Sequence, residues 1–456
     1  MTSSRSATSP APVPPDPSGA LSPEWLLKAR ARFAENPSHR LAMNACSSGN
    51  VDDIALSREA LSQVDWHFSH EVKGGAITHQ KQAGFCWLYA ALNWLRVDVM
   101  AKLELESLDF SQNFLIFWDR LEKANRFLST MVVLRDRTPD DRMVDFLLRE
   151  PCPDGGEWHM VANLIRKYGL VPKSAMTDTA NLIDSKYLNK IVDAKLRQTA
   201  ARIFAAYTAK ASDAAIQTIK DDAMVEVYKL LAIMMGEPPE RFDFTYRDKH
   251  NNFHAHRDLT PAEFYENFVG RDLGAYAWLM SSPLPDTPYD RTFVVEGFQN
   301  VVEGAPGTFL NVPMPTLKKL AIEAIQAGEA VFFGCDVLQD SNRKVGLLDP
   351  AVLDYELLFG TSFEMSRAER FRFLQSRLTH DMVLLGVDLV DGAPRKWKIE
   401  NSWGDDVGQK GYFQMSDAWF DEHVYAIVVE TRFLSAPLRK LLEQPPIFLP
   451  PWHPLA

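Results

Sequence analysis

The sequence contains few cysteines and no paired cysteine motif. Its 456 residues include Cys46, Cys86, Cys152 and Cys335, and no Cys-x-x-Cys pair occurs. Disulfide-rich scaffolds and zinc knuckles need closely spaced cysteines, so the spacing argues against both classes of protein. Isolated cysteines of this kind are typical of a reducing compartment, and we predict a cytoplasmic protein.

Long apolar segments and an excess of positive charge are also missing. No run approaches the ~20 apolar residues of a membrane-spanning helix, and the Ser- and Pro-rich residues 1–20 lack the apolar core of a secretory signal. We interpret residues 1–20 as a disordered leader. Lys and Arg number 49 against 60 Asp and Glu, a net charge of −11. This acidic balance disfavours nucleic-acid and anionic-membrane surfaces, so we expect neither partner.

Motifs for phosphate and metal binding are absent as well. No GxxxxGK[ST] loop occurs, and no GxGxxG follows a predicted strand. His250, His254 and His256 lie close together but have no nearby cysteine, so we interpret their segment as a solvated loop rather than a metal site. The sequence therefore predicts neither a metal nor a cofactor.

The composition changes along the chain and predicts several regions. The last ~130 residues contain short β-rich runs separated by turn residues, such as AVFFGCDV, MVLLGVDLV and VYAIVVE, which indicate an antiparallel sheet or barrel. Between the leader and this region, helical periodicity prevails. We predict a helical lobe at 21–162, a mainly helical insertion at 163–320, a β-rich lobe at 321–440 and a C-terminal arm at 441–456.

Cys86 is the candidate nucleophile because it directly precedes an amphipathic helix. The apolar residues that follow it recur at helical spacing: Leu88, Ala91, Leu92, Leu95 and Val99. The positive end of a helix dipole favours a thiolate over a thiol, and a neighbouring imidazolium would lower the pKa of the thiol further, so we expect Cys86 to be stored as a thiolate at neutral pH. Gln80 lies six residues earlier, and its side-chain amide together with the Cys86 backbone N–H would form two donors for an oxyanion.

His380 and Asn401 are the candidate base and its orienting group. Each lies on or next to a predicted strand, and the two-residue period directs both side chains into the same interior. Asn401 would fix the ring orientation of His380 and leave its second nitrogen facing a nucleophile. A single buried Cys or His is usually structural, but the combination with Gln80 favours catalysis.

These residues resemble the bleomycin hydrolase and aminopeptidase C family of papain-like cysteine peptidases. The likeness rests on Gly84-Phe85-Cys86-Trp87, His380 and Asn401-Ser402-Trp403-Gly404, and it extends from about residue 25 to the end. His380 follows Cys86 at about twice the ~130–150 residues usual in papain-like enzymes, which points to this family. The resemblance implies an α+β papain-like two-lobe fold with large, mainly helical insertions.

The resemblance also implies an activity and roles for individual residues. A cysteine aminopeptidase of this family removes N-terminal residues from peptides through a thioester acyl-enzyme. Cys86 would attack, His380 would carry the proton, and Trp403 would shield the His380–Asn401 hydrogen bond from water. The backbone of Gly155 and Gly156 would bind an extended substrate.

The C-terminal arm is implied to lie in the cleft, with the carboxylate of Ala456 meeting the free α-ammonium of the substrate. Four prolines between Pro446 and Ala456 would hold this arm extended, and the family assembles as a homohexamer. The tail Trp452-His453-Pro454-Leu455-Ala456 differs from the family form. An endopeptidase therefore stays open as an alternative, as does a catalytically silent papain-like binding scaffold.

Overall fold

A computed structural model of the protein describes residues 17–456, so most of the predicted leader lies outside the description. It divides into two compact units. One comprises the residues up to Ser57 together with Leu353–Glu364, and the other comprises Arg58–Val352 with Met365–Ala456. The candidate catalytic residues all belong to the second unit.

The helices of the N-terminal half frequently begin at a residue whose side chain caps the first turn. The Ser111 hydroxyl accepts from the Phe114 N–H at the start of α6, and Ser212 does the same for α11. The first eleven α-helices are α1 Pro23–Glu35, α2 Pro37–Cys46, α3 Val51–Ala55, α4 Arg58–Ser62, α5 Cys86–Lys102, α6 Gln112–Val133, α7 Arg142–Arg149, α8 Trp158–Tyr168, α9 Ala180–Ile183, α10 Lys186–Thr208 and α11 Asp213–Met235.

Shorter helices follow in the second half. Thr260 and Ser366 each form a capping box with a glutamate three residues later. These α-helices are α12 Pro261–Phe264, α13 Met314–Gln326, α14 Tyr355–Phe359, α15 Arg367–Arg372, α16 Asp417–His423 and α17 Ala436–Leu442. A π-helical turn lies at Tyr265–Val269, and 3-10 turns lie at Pro17–Gly19, Leu273–Ala275 and Thr431–Phe433.

The strands come mostly from the C-terminal half. They are β1 His70–Glu71, β2 Phe242–Arg247, β3 Phe253–Leu259, β4 Tyr276–Met280, β5 Arg291–Val295, β6 Phe309–Asn311, β7 Val331–Cys335, β8 Ser341–Asn342, β9 Leu347–Leu348, β10 His380–Val390, β11 Ala393–Glu400, β12 Tyr412–Ser416, β13 Val424–Glu430 and β14 Ile447–Leu449. β2 and β3 form a separate hairpin.

The other strands form one mixed sheet, which within residues 17–456 has 12 strands in the order β14-β5-β6-β4-β13-β7-β10-β11-β12-β9-β8, with β1 also pairing with β10. Its centre is antiparallel, as the sequence predicts, whereas β14 with β5, β4 with β6 and β12 with β9 pair in parallel. The expected α+β fold is thus present, with a mixed rather than a purely antiparallel sheet.

The sheet is buried on both faces, and β10 shows how. Val383 and Leu385 belong to the larger apolar cluster, which also contains the apolar stripe of α5, whereas Met382 and Leu384 belong to a second cluster that contains α13. The alternation follows from the two-residue period of a strand. Helix α5 therefore lies on the face of the sheet to which Val383 points.

Residues 163–320 differ from the mainly helical insertion predicted for them. They contain the long helices α10 and α11, but they also contribute β4, β5 and β6 to the main sheet. These strands are short, and β4 consists of aromatic and aliphatic residues that suit either a buried strand or a helix. Short apolar runs of this kind do not distinguish the two by periodicity.

Two charged side chains of β11 are buried. Glu400 is almost completely buried, and one of its carboxylate oxygens accepts a hydrogen bond from Arg96 of α5 at 2.6 Å. Lys396 is also buried and pairs with Asp65 at 2.5 Å. These charges sit where two elements pack together, and each is satisfied by a partner that is distant in sequence.

None of the helices within residues 17–456 is both long enough and apolar enough to span a bilayer.

Candidate active site

The first turn of α5 carries Cys86 and is held in place by Asp154. Phe85, at the N-cap, makes no side-chain capping bond. Instead, the Gly84 N–H donates to the Asp154 carboxylate at 3.1 Å, and the Trp87 indole N–H donates to the Asp154 carbonyl at 2.9 Å. Arg120 pairs with the same carboxylate. Asp154 thus fixes the chain on both sides of Cys86.

His380, Asn401 and Trp403 form one contiguous group. His380 opens β10, and Asn401 directly follows β11, which pairs with β10. The two side chains are joined by a hydrogen bond of 2.9 Å between Nε2 of His380 and Oδ1 of Asn401. The Trp403 ring stacks on the imidazole with centroids 4.8 Å apart. The structure therefore brings together three of the residues that the sequence singles out.

The hydrogen bond fixes the tautomer of His380. The Ser402 backbone N–H donates to Oδ1 of Asn401 at 2.7 Å, which identifies that atom as the amide oxygen. An amide oxygen only accepts, so the proton of the neutral imidazole lies on Nε2. Nδ1 is then left as the basic nitrogen.

Gln80 is positioned by Ser402. The Ser402 hydroxyl donates to Oε1 of Gln80 at 2.7 Å, and the Gln80 backbone N–H donates to the Ser402 carbonyl at 2.8 Å. Because Oε1 is occupied, the Gln80 NH2 group points towards the Cys86 loop, where it donates to the Ala83 carbonyl at 2.9 Å. One N–H of the Gln80 amide remains for another acceptor.

Cys86 lies against the start of β10. The backbone N–H groups of Asp381 and Trp87 donate to its sulfur and lower the pKa of the thiol. The charges of the Asp381 and Glu157 carboxyls raise that pKa. Burial, together with nearby charges that include Cys86, raises the pKa of the Cys335 thiol. That thiol donates to the His380 carbonyl at 3.6 Å. The nucleophile candidate is therefore adjacent to the residue that follows His380 in sequence.

Burial affects the ionisation of both Cys86 and His380. Burial, followed by the charge of Asp381, raises the pKa of the Cys86 thiol, although the residue is partly exposed. Burial also lowers the pKa of His380 to about 4, against the opposing effect of its bond to Asn401. The burial of Cys86 therefore opposes the thiolate that the helix end favours, and the ion pair of Cys86 with a His380 imidazolium stays a prediction.

Gly155 and Gly156 differ in their surroundings. A methyl group at Gly156 would lie 2.6 Å from the Trp87 ring, whereas one at Gly155 would meet no atom within 4 Å. The Gly155 carbonyl already accepts from Lys123 at 2.7 Å. Within residues 17–456, the backbone N–H and carbonyl of Gly156 have no hydrogen-bond partner. Of the two glycines, Gly156 therefore has a free backbone.

The C-terminal arm is only partly extended. Ile447–Leu449 pairs with β5, but the last residues turn, with hydrogen bonds from the His453 N–H to Pro450 and from the Ala456 N–H to His453. Leu455 is buried, while Ala456 is exposed. The expected extended conformation therefore holds for Ile447–Leu449 and not for the last residues, where Pro451 and Pro454 lie in turns. Among the residues that the structure describes, the Ala456 carboxylate forms no ion pair.

The histidine-rich segment belongs to the β2–β3 hairpin rather than to a loop. His254 contacts the Asp248 carboxylate at 3.0 Å and stacks on Tyr246. Across residues 17–456, no three His, Cys, Asp or Glu side chains are grouped as metal ligands.

Sequence reasoning missed Ser402, Asp154, Glu157 and Asp381 as part of the site. Ser402 and Asp154 act by holding other residues in place, and their partners become visible only when distant segments meet. The adjacency of Asp381 to His380 was the one available signal.

Comparison with known proteins places the chain in a family. The Peptidase C1-like family matches residues 20–456. The chain is 39% identical to aminopeptidase C of Listeria monocytogenes, covering 95% of this chain and 97% of the relative, and 37% identical to human bleomycin hydrolase, covering 96% and 98%.

A solved structure is also similar. The crystal structure of PepW from Lactobacillus rhamnosis superposes with a TM-score of 0.94 at 40% identity, covering 96% of this chain and 99% of that one. The predicted papain-like fold is thereby confirmed, and so is the prediction of a cysteine peptidase. The chain belongs to the Peptidase C1-like family.

Proposed function

We propose that this cysteine peptidase is an aminopeptidase in which Cys86, His380 and Asn401 are the catalytic residues. The Cys86 thiol transfers its proton to Nδ1 of His380 as its sulfur attacks the substrate carbonyl carbon. His380 then donates that proton to the departing amine, which leaves a thioester on Cys86. Water attacks the thioester, gives a proton to Nδ1, and the thiol is restored when the acid is released.

The observation that carries this proposal is the His380–Asn401 hydrogen bond of 2.9 Å beneath the Trp403 ring. Trp403 covers the bond and keeps competing water from it. Because the bond commits Nε2, the other ring nitrogen is free for proton transfer. The reaction needs no separate source of protons, because one proton passes from the Cys86 thiol to the His380 imidazole and on to the departing amine.

The oxyanion of the tetrahedral intermediate is proposed to bind the Gln80 side-chain amide and the Cys86 backbone N–H. Ser402 holds the Gln80 amide in the required orientation at 2.7 Å, so no reorganisation is needed during the reaction. Cys86 is the first residue of α5, where backbone N–H groups have no helical acceptor. Both donors are thus available at the place where negative charge develops.

Substrate recognition is proposed to involve the backbone of Gly155 and Gly156 and the terminal carboxylate of Ala456. Support for the glycines is the unpaired backbone of Gly156 and the open space beside Gly155. Support for Ala456 is its exposed position at the end of an arm that is anchored by the burial of Leu455. The carboxylate would hold the α-ammonium of a peptide with a free N-terminus.

We also propose a cytoplasmic homohexamer. All four cysteines are free, which suits a reducing compartment. Helices α1 and α2 bury none of their own residues, and apolar side chains such as Trp25, Leu27 and Leu41 are exposed on them. Apolar surface of this kind favours association between copies.

The decisive experiment for the catalytic residues is labelling with a thiol-directed epoxide. The parent protein is expected to be labelled once, at Cys86, with loss of peptidase activity, and Cys86→Ser is expected to be neither labelled nor active. Cys152→Ser is the matched control, since Cys152 is fully buried and should not affect labelling. Equal labelling of the parent and of Cys86→Ser would contradict the proposal.

An endopeptidase remains the second candidate because the last seven residues turn instead of continuing as an extended arm. A free-amine aminoacyl amide and its N-acetylated form distinguish the two. An aminopeptidase strongly prefers the free amine, whereas an endopeptidase accepts the acetylated form equally well. Light scattering of the purified protein tests the hexamer, and a monomer would contradict it.

A further inference from the structure

Two buried carboxyl groups beside Cys86 have no assigned role. Glu157 directly follows the glycine pair and is 4% exposed, and Asp381 directly follows His380 and is 3% exposed. Each has a carboxylate oxygen without a hydrogen-bond partner, Oε2 of Glu157 and Oδ1 of Asp381. Neither forms an ion pair with another residue of the described chain. Buried carboxylates are normally paired, so this arrangement requires an explanation.

The two side chains come from elements that frame the nucleophile. Glu157 is the N-cap of α8, yet its side chain makes no capping bond and is directed elsewhere. Asp381 pairs in register with Gly334 of β7, and a methyl group on Gly334 would lie 2.7 Å from its Oδ1. The glycine thus leaves space for the carboxyl. By strand alternation, Asp381 points to the same face as Val383, the face on which α5 packs.

Both carboxyls also act electrostatically on Cys86 and on each other. They raise the pKa of the Cys86 thiol, and burial with the Asp381 charge raises the pKa of Glu157 well above its usual value. Burial raises the pKa of Asp381 as well, and two carboxyls in one dry site do not both ionise. Within residues 17–456, no lysine, arginine or histidine forms an ion pair with either carboxyl.

We propose that Glu157 and Asp381 form a cation-binding subsite beside Cys86, which receives an ammonium or guanidinium group from the acyl side of the substrate. This inference rests on the proposed peptidase function. A bound cation supplies the missing partner of the two carboxylate oxygens, and the negative charge that opposes ionisation of Cys86 is neutralised when substrate arrives. The subsite therefore selects substrates by charge and favours the reaction once they are bound.

The cation has two sources, the α-ammonium of the terminal residue and a lysine or arginine side chain. Four fluorogenic aminomethylcoumarin amides distinguish them: alanyl, N-acetyl-alanyl, N-acetyl-lysyl-alanyl and N-acetyl-norleucyl-alanyl. Norleucine retains the aliphatic chain of lysine without its charge. Each amide is assayed with the parent, Glu157→Gln and Asp381→Asn, and epoxide labelling of Cys86 gives the concentration of active sites.

Each substitution weakens a hydrogen bond to a charged group, so it is expected to reduce kcat/KM for the cationic substrate at least about tenfold. The neutral partner substrate should change less than about threefold. A reduced kcat/KM for the alanyl amide identifies the α-ammonium as the bound cation. A reduced kcat/KM for the lysyl compound identifies the lysine side chain instead. Glu122→Gln is the matched control, because Glu122 is also 4% exposed but already pairs with Lys167.

The inference fails if both variants label normally and yet keep the parent ratio of kcat/KM between charged and neutral substrates. It also fails if Glu122→Gln shifts that ratio as much as Glu157→Gln does. Failure of the parent itself to be labelled or to hydrolyse any amide would instead overturn the proposed function. The two isosteric variants act on separate elements, so misfolding of one leaves the other as the test.

Discussion

His380 donates the proton on Nε2 to Oδ1 of Asn401 across 2.9 Å, and that bond determines which ring nitrogen faces the substrate. Asn401 neither gains nor loses a proton in the proposed reaction. Its contribution is to exclude the other tautomer and the flipped ring, both of which would turn an N–H towards the nucleophile. The roles of the two residues are therefore separable by mutation.

Replacing His380 is expected to cost far more activity than replacing Asn401. His380→Ala removes the proton carrier and should lower kcat/KM by about 1,000-fold or more. Asn401→Ala leaves the imidazole in place and should lose only part of the activity, about 10- to 100-fold, while Asn401→Asp keeps an acceptor and should lose less. Steady-state kinetics on one free-amine amide checks the order, and a larger loss for Asn401→Ala would reverse the assignment.

Gln80 and Ser402 are expected to affect kcat rather than KM. Gln80→Ala removes a donor to the oxyanion and should lower kcat by about 100- to 1,000-fold. Ser402→Ala leaves the amide present but releases Oε1, so a smaller loss of the same kind is expected. Stopped-flow release of the coumarin measures kcat. A rise in KM with unchanged kcat would mean that Gln80 binds the ground state instead.

The glycine pair offers a matched comparison of stability and activity. Gly156→Ala places a methyl group 2.6 Å from the Trp87 ring, next to Cys86, and we expect it to lower Tm and activity together. Gly155→Ala meets open space and should keep the parent Tm. Thermal unfolding followed by circular dichroism tests the difference. Equal losses of Tm in both variants would contradict the described packing of Trp87 on Gly156.

The sequence predicts the chemistry of the candidate site better than it predicts the electrostatics of that site. Cys86, His380 and Asn401 belong to motifs whose spacing and order single them out as candidates. In contrast, the buried pairs of Glu400 with Arg96 and of Lys396 with Asp65 join residues far apart in the chain, so the alternation of residues along β11 does not reveal them. The raised pKa of the Cys86 thiol has the same origin, because desolvation of the thiol by packed neighbours leaves no trace in the local sequence.

His159 should make the folded protein sensitive to acid. Burial lowers its pKa to about 4, while its hydrogen bond to the Phe298 carbonyl opposes this. Between that value and about 6.5, the unfolded chain binds the proton and the folded chain does not, so stability is fully present above about pH 6.5 and is lost as the pH falls. The contribution is at most about 3 kcal/mol.

His159→Gln isolates that contribution, since glutamine keeps a donor for the Phe298 carbonyl but does not titrate. As the pH falls from 6.5 to 4, the free energy of unfolding of the parent should decrease relative to that of the variant. Urea unfolding at a series of pH values measures it. A difference that is constant across this range would show that His159 is not kept neutral by the fold.

Shortening the arm tests whether the Ala456 carboxylate binds the free amine of the substrate. A chain ending at Leu449 keeps β14 paired with β5 but removes the turned residues and moves the terminal carboxylate by seven residues. If the carboxylate of Ala456 holds the α-ammonium, this chain should lose about tenfold in kcat/KM for alanyl amide and gain activity on N-acetylated peptides. Removing Ala456 alone shifts the carboxylate by only about 3.5 Å and retains buried Leu455, so a smaller change of the same sign is expected. If both truncated chains keep the parent's preference for a free amine and Glu157→Gln loses it, the free amine is recognised by the buried carboxyl pair and not by the tail.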